Sequence, residues 1–356
     1  MNWLTPTLIG EFVLGLIVLI ILHELGHFIA ARVMKISVDE FGIGFPPRLV
    51  RLFTWAGTEF SLNWIPLGGF VRVRGENDPD VEGGLAAAKP WKRLVVYLAG
   101  PTANLLTAVV LFTLVFGQLG VIPDMRTVQL DFIEEGSPAA VAGLLVGDVI
   151  RQANGETIRS NDQLRNIIYS HLGKTFEIVV EREGQTISLE VTPRENPAPD
   201  RGALGVIMGN PTRPFTLGSG LMAGVNQIGA YVSALGDLVS RLVQRQATAE
   251  DAGLVGIVGM GEFYVEMRQS EPTPGVPKSA NSLAFFATIS LSLGLLNLLP
   301  IPALDGGRIL LTLPELITGR RVPPKYENLL NGASFVLLLL LLIYINLRDV
   351  FNVITK

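Results

Sequence analysis

The stretch from Phe12 to Ala31, FVLGLIVLIILHELGHFIAA, decides how the rest of the chain is read. It is apolar and long enough for a membrane-spanning helix, which takes roughly 20 residues to cross about 30 Å of hydrocarbon. Within it stand His23, Glu24 and His27. An ionisable side chain at bilayer depth costs about 3 kcal/mol or more, so a cluster of them reads as functional. Residues four apart stack on one helix face. His23 and His27 can therefore hold one metal ion, and Glu24, on the neighbouring face, can take a proton from water at that ion.

Working outward, the 356 residues are 49% hydrophobic and 17% charged, a balance that points to a membrane class. The net charge of -4 leaves no basic field for nucleic acid. The absence of cysteine excludes disulfides, thiol catalysis and cysteine zinc sites, and leaves the redox compartment unread. The first twenty residues hold no Lys or Arg, so no basic n-region of a signal peptide is expected.

Four spans are predicted, at 8–31, 94–119, 283–303 and 329–347. Nine basic residues lie from Arg32 to Arg93, and Arg308, Arg320, Arg321 and Lys325 follow the third span. The positive-inside rule puts both loops in the cytoplasm, with both termini and 120–282 outside. Within that outer segment, 124–194 reads as a small globular module with a helix from Asn161 to His171. Two alternating runs flank Glu183-Gly184 as a hairpin, and a Pro-rich linker covers 196–200. Apolar residues at helical spacing predict an amphipathic helix over 217–243, on the membrane or against the bundle rather than a fifth span. On the cytoplasmic side, 48–76 reads as short strands around Pro66-Leu67-Gly68-Gly69. The expected organisation is a membrane half at 1–123, the module at 124–200, an outer linker at 201–282 and a second membrane half at 283–356.

A catalytic zinc site takes three protein ligands and keeps one position open. Glu11 shares the helix with His23 but stands about 18 Å away along it. The remaining carboxylate at membrane depth is Asp305, in NLLPIPALDGG from Asn297 to Gly307. Two prolines and two glycines break the helix there, and irregular backbone at that depth is tolerated only where protein or a wet cavity covers it. Asp305 also suits a helix N-cap after the break, and the two roles are compatible. The chemistry that follows is peptide-bond hydrolysis, with Glu24 as general base and then acid. Asn297 fits a hydrogen bond to substrate backbone or a developing oxyanion, and equally a bond between spans. The 58–74 segment offers an edge for an unwound substrate. Asn104 reads as helix–helix bonding, His171 as a surface or cap histidine, and Glu11 as a side chain snorkelling to the outer interface.

These motifs resemble the site-2 proteases, intramembrane zinc metalloproteases, and within them the bacterial regulator of sigma-E protease type. The likeness runs over nearly the whole chain. It rests on His23-Glu24-Leu25-Gly26-His27, on Asn297 through Gly307, on Pro66 through Val71, and on Ala99-Gly100-Pro101 with Asn104. The resemblance implies a polytopic α-helical membrane protein with a membrane-associated β-loop and an extracytoplasmic PDZ-like domain at 124–200. It implies Zn2+ on His23, His27 and Asp305, Glu24 as the catalytic glutamate and Asn297 as a substrate-positioning amide. It further implies the bacterial inner membrane as location, and single-span substrates such as anti-sigma factors and remnant signal peptides. A C-terminal peptide is the expected ligand of the PDZ-like domain, unless that domain only blocks access by bulk. One such domain is found where the enterobacterial form has two.

Two other readings compete. A membrane-anchored PDZ scaffold with a structural metal site would have no need of Glu24. A zinc transporter would want several polar clusters along a path, and one is present.

Overall fold

The computed structural model describes residues 6–76, 78–124, 126–197, 202–244, 255–271 and 276–355. Along the chain run α1 (Pro6–Val33), β1 (Val38–Trp55), β2 (Thr58–Val73), α2 (Pro90–Leu119), β3 (Val121–Pro123), β4 (Val128–Ile133), α3 (Pro138–Val141), β5 (Val149–Ala153), β6 (Glu156–Thr157), α4 (Asn161–Ser170), β7 (Phe176–Arg182) and β8 (Gln185–Val191). Then follow β9 (Val206–Gly209), β10 (Thr212–Pro214), α5 (Leu217–Val243), α6 (Ile257–Gln269), α7 (Lys278–Asn297), α8 (Asp305–Thr318) and α9 (Pro324–Thr355). They form two units, a smaller one over Gly120–Thr216 and a larger one from the rest.

In the larger unit, four described helices are long and apolar enough to cross a membrane: Pro6–Val33, Pro90–Leu119, Lys278–Asn297 and Lys325–Asn352. α1 closes just past its metal motif. Lys35 turns left-handed (φ 61°), Ile36 N–H bonds Ala31 C=O, and Lys35 N–H bonds Arg32 C=O. The third span stops at Asn297, six residues short of the expected 303. Pro300 and Pro302 cannot donate to a helical ladder and push the preceding residues out of helical geometry.

The β-loop differs from expectation as well. It starts at Val38, ten residues before 48, and consists of two long bent strands rather than short ones. Phe41 pairs with Val71 on one side and Phe60 on the other, while Phe60 also faces Phe53. Each long strand thus serves twice, giving the order 69–73, 38–43, 59–62, 50–55. Gly42, Gly44 and Pro46-Pro47 look like breakers in the sequence, which hid the first half. At the centre, buried Glu40 accepts from Arg48 (2.6 Å), Ser61 (2.7 Å) and Arg72 (3.0 Å).

The stretch expected to be an outer linker holds α6. Tyr264, 2% exposed, packs its ring against Phe12, Phe285 and Phe286. Glu11 accepts from Tyr264 Oη and pairs with Arg268, each at 3.1 Å. α6 opens on Gly256, which has no side chain to cap it. α9 supplies the acceptors instead: Asp349 takes the Gly256 N–H (2.6 Å) and Asn346 the Val258 N–H (3.4 Å). α5 lies against the bundle, with Gly224 pressed to the Val109 backbone and Tyr231 Oη bonded to Ser292 Oγ at 2.6 Å.

The smaller unit has the sheet order β8-β7-β5-β4-β9 around Val128, Leu130, Ile150, Leu164, Ile178 and Val180. β7 and β8 join through Glu183 and Gly184, both at positive φ, the requirement of a two-residue turn matched to strand twist. Ser160 caps α4 by accepting from Gln163 N–H, and Gln163 reaches back to Arg159 N–H. His171 closes that helix and bonds the Ile167 carbonyl. The unit extends past 200 to Thr216, because β9 pairs with β4 and β10 with β3. Four-residue and three-residue strands after a Pro-rich stretch carry little pattern of their own. Of the linker expected at 196–200, residues 198–200 lie outside the described residues.

Asp148, fully buried, is gripped by Arg182 through Nε (2.7 Å) and Nη2 (2.8 Å), and accepts the Leu145 N–H (2.9 Å). Burial would raise its carboxyl, but the guanidinium and the amide more than offset that, so it sits below the usual carboxylate range. The unfolded carboxyl titrates near 3.9. The native form therefore binds fewer protons, and the stabilisation is complete above about pH 5 and lost as pH falls through the native value. We expect Asp148→Asn in the full chain to lower the opening free energy of the Ile150 and Ile178 amides by about 3 kcal/mol at pH 7. Hydrogen exchange is the measurement. The acid-dependent loss of protection seen in the unsubstituted chain should be much reduced in the variant.

Candidate metal centre

α1, α2 and α7 approach closely because glycines face the contacts. A Cβ on Gly26 would stand 2.4 Å from the Ala99 carbonyl oxygen, and one on Gly294 would be 2.9 Å from Leu105 Cδ2. A Cβ on Gly100 would stand 2.2 Å from His27 Nε2. α2 is thus the surface on which the His27 ring rests.

The carboxylate that completes the set arrives from a tight reversal. Between α7 and α8, Leu298–Leu304 folds back so closely that a Cβ on Gly306 would lie 2.2 Å from the Leu298 carbonyl oxygen, and one on Gly307 2.2 Å from that of Ile301. Asp305 then begins α8, where the helix dipole favours a negative charge.

His23 Nε2 and His27 Nε2 stand 3.2 Å apart, and Asp305 Oδ2 lies 3.4 Å and 3.3 Å from them. Ligand atoms about 2.0–2.1 Å from a tetrahedral zinc are separated by about 3.3 Å. The three atoms therefore have the spacing of one face of such a tetrahedron. The protonation pattern agrees. His27 Nδ1 is 2.8 Å from the Val96 carbonyl, which can only accept, so a neutral His27 carries its proton there. Its Nε2 lone pair then points at a carboxylate, an arrangement that calls for a cation. The donor set of two imidazoles and one carboxylate fits zinc. Among the described residues, these three form the one group of His, Asp and Glu close enough to hold a metal ion.

Glu24 is not in that triangle but lines the same cavity, of about 350 Å3, with its Cγ 3.2 Å from where a Cβ on Gly69 would be. Phe70, Val71 and Val73 of β2 form one wall, and Asn297, the last residue of α7, lies in another. Arg308 also lines it, paired with Glu76 and standing over the Tyr97 ring at 5.8 Å. The structure thus brings together His23, Glu24, His27, Asn297 and Asp305.

The pattern of peptidase family M50 matches residues 11–341. The chain belongs to peptidase family M50. Among its relatives, a Campylobacter jejuni protein named "Putative zinc metalloprotease Cj1068" is 32% identical over 94% of this chain and 91% of its own. Metalloprotease MmpA of Caulobacter vibrioides is 30% identical, over 96% of this chain and 95% of its own. A solved PDZ domain of an SdrC-like protein from Listeria monocytogenes aligns with 23% of this chain and 87% of its own, at 20% identity and TM-score 0.21.

Sequence reasoning on this M50 chain missed what α2 contributes. The Val96 carbonyl carries no sequence signal, since every residue has one. Gly100 carries no signal beyond its place in Ala99-Gly100-Pro101. Asn104 was read as bonding between helices, and it does so, but its partner is His23 Nδ1, at 3.1 Å. The Arg308–Glu76 pair joins residues far apart in sequence, with nothing in either neighbourhood to announce it.

Proposed function

We propose that this M50 peptidase is an intramembrane zinc metalloendopeptidase that hydrolyses peptide bonds within or near the membrane segments of single-span proteins. His23, His27 and Asp305 hold the zinc. When bound, zinc polarises a carbonyl and makes water a nucleophile near neutral pH. Glu24 accepts the proton of that water at a carboxylate oxygen and returns it to the leaving amine nitrogen. The Asn297 amide, on the cavity wall, hydrogen-bonds substrate backbone. The 69–73 edge of β2 carries a strand partner on one side only, among the described residues, and receives the unwound substrate by strand addition. A helical substrate must unwind first, because its own hydrogen bonds otherwise occupy its amides.

The protein is multi-pass in the bacterial inner membrane, with both termini and the smaller unit outside the cytoplasm. The smaller unit is PDZ-like and receives C-terminal peptides or limits access by size. Anti-sigma factors and remnant signal peptides are the substrate class.

The observation that carries this reading is the triangle of ligand atoms with Glu24 beside it in one cavity between apolar helices. The test is a purified chain in proteoliposomes with a single-span reporter. Stripping the metal with a chelator should abolish cleavage, and about one equivalent of zinc per chain should restore it. Cleavage that persists in the metal-free chain would end the proposal.

A further inference from the structure

We infer that Asn104 is the positioning residue of His23: its amide oxygen accepts the His23 Nδ1 proton and so leaves Nε2 free for the metal. This rests on the reading of His23 as a zinc ligand.

The two histidines are held differently. His27 Nδ1 meets a main-chain carbonyl, and its tautomer follows. His23 Nδ1 meets a side-chain amide, with Asn104 Nδ2 at 3.1 Å. In that orientation Nδ1 must accept, which places the ring proton on Nε2. That nitrogen already faces His27 Nε2 and Asp305 Oδ2, so a proton there would occupy the direction the metal needs. In the same orientation Asn104 Oδ1 is buried without a partner among the described residues. A buried acceptor left unpaired costs about 1–3 kcal/mol. The amide nitrogen and oxygen differ little in size, and which one faces a neighbour is inferred from the hydrogen bonds it makes. A half-turn about the Cβ–Cγ axis brings Oδ1 to His23, and the oxygen then accepts Nδ1–H. Such a partner fixes the ring's orientation and makes its other nitrogen a stronger donor to metal.

The position is rigid. Asn104 is 1% exposed, and its main-chain carbonyl accepts from the buried Ser290 Oγ on α7 at 2.8 Å. The side chain is thus delivered from the junction of α2 and α7 onto α1. Asn104 does not line the cavity, and its effect reaches the site through His23.

The experiment compares zinc affinity of the unsubstituted chain, Asn104→Leu and Asn104→Asp, each full length in detergent, by competition with a zinc-chelating dye. Leu removes the acceptor, while Asp keeps an oxygen at the same place and lacks the amide N–H. We expect Asn104→Leu to bind zinc about 10–100-fold more weakly and Asn104→Asp to stay within about three-fold of the unsubstituted chain or to bind tighter. Equal affinity of Asn104→Leu and the unsubstituted chain overturns the inference, and so does an Asp variant as weak as the Leu variant. A second readout stands if the Leu variant does not fold. The chain has three histidines, so ring 15N spectra of the zinc-loaded, unsubstituted protein are assignable. A hydrogen-bonded proton on His23 Nδ1 supports the inference, and an unprotonated His23 Nδ1 overturns it. An unsubstituted chain that binds no zinc overturns the underlying ligand reading instead.

Discussion

Glu24→Gln is expected to bind zinc at the same stoichiometry as the unsubstituted chain and to cleave a single-span reporter about 10^2–10^4-fold more slowly. Glu24 lies outside the triangle of His23, His27 and Asp305, so the donors are untouched. Gln has nearly the same shape and fills the same space between α1 and Gly69. What it lacks is a carboxylate to take a proton from water and return it to the departing nitrogen. Zinc content by elemental analysis and cleavage by gel assay give the two halves of the result. Unchanged cleavage in Glu24→Gln would mean that another group moves the proton. Loss of zinc together with activity would mean that Glu24 is structural.

Gly100→Ala should be nearly as damaging, through geometry alone. The added methyl would stand 2.2 Å from His27 Nε2 and 2.6 Å from its Cε1. Carbon and nitrogen in van der Waals contact need well over 3 Å, and a packed interior relaxes only partly. Either the ring moves off its ligand position or α1 and α2 separate, and in both cases the Val96 carbonyl loses its hold on Nδ1. We expect a zinc affinity at least about 10-fold lower, with peptidase activity falling in parallel. Gly10→Ala, on the helix that carries His27 and with nothing within 4 Å of the new methyl, is the control and should behave as the unsubstituted chain. Full zinc affinity in Gly100→Ala would show that the ring does not rest on α2.

How much was legible from residues alone follows from the range of each interaction. His23, Glu24 and His27 share one turn of one helix, so spacing sufficed to group them. Asp305 was legible because its setting is unusual: two prolines and two glycines around a carboxylate in an apolar run. Four apolar runs gave the four long helices, since membrane crossing depends on length and composition. Contacts between distant segments were not legible. Gly100 under His27, Asn104 beside His23 and Asp349 capping α6 each join residues whose own neighbourhoods say nothing of their partner. α6 itself was missed although Ile257, Met260, Tyr264 and Val265 have helical spacing, because glycines and charges dilute a short pattern. The β-loop was half seen, since a strand that bends and pairs twice needs the glycines and prolines that ordinarily mark an end.

The three atoms of the triangle come from distant parts of the sequence, two on α1 and one on α8. A ribosome has made most of the chain before the last of them emerges. A truncated or half-inserted translation product therefore holds the two imidazoles without the carboxylate that completes the triangle.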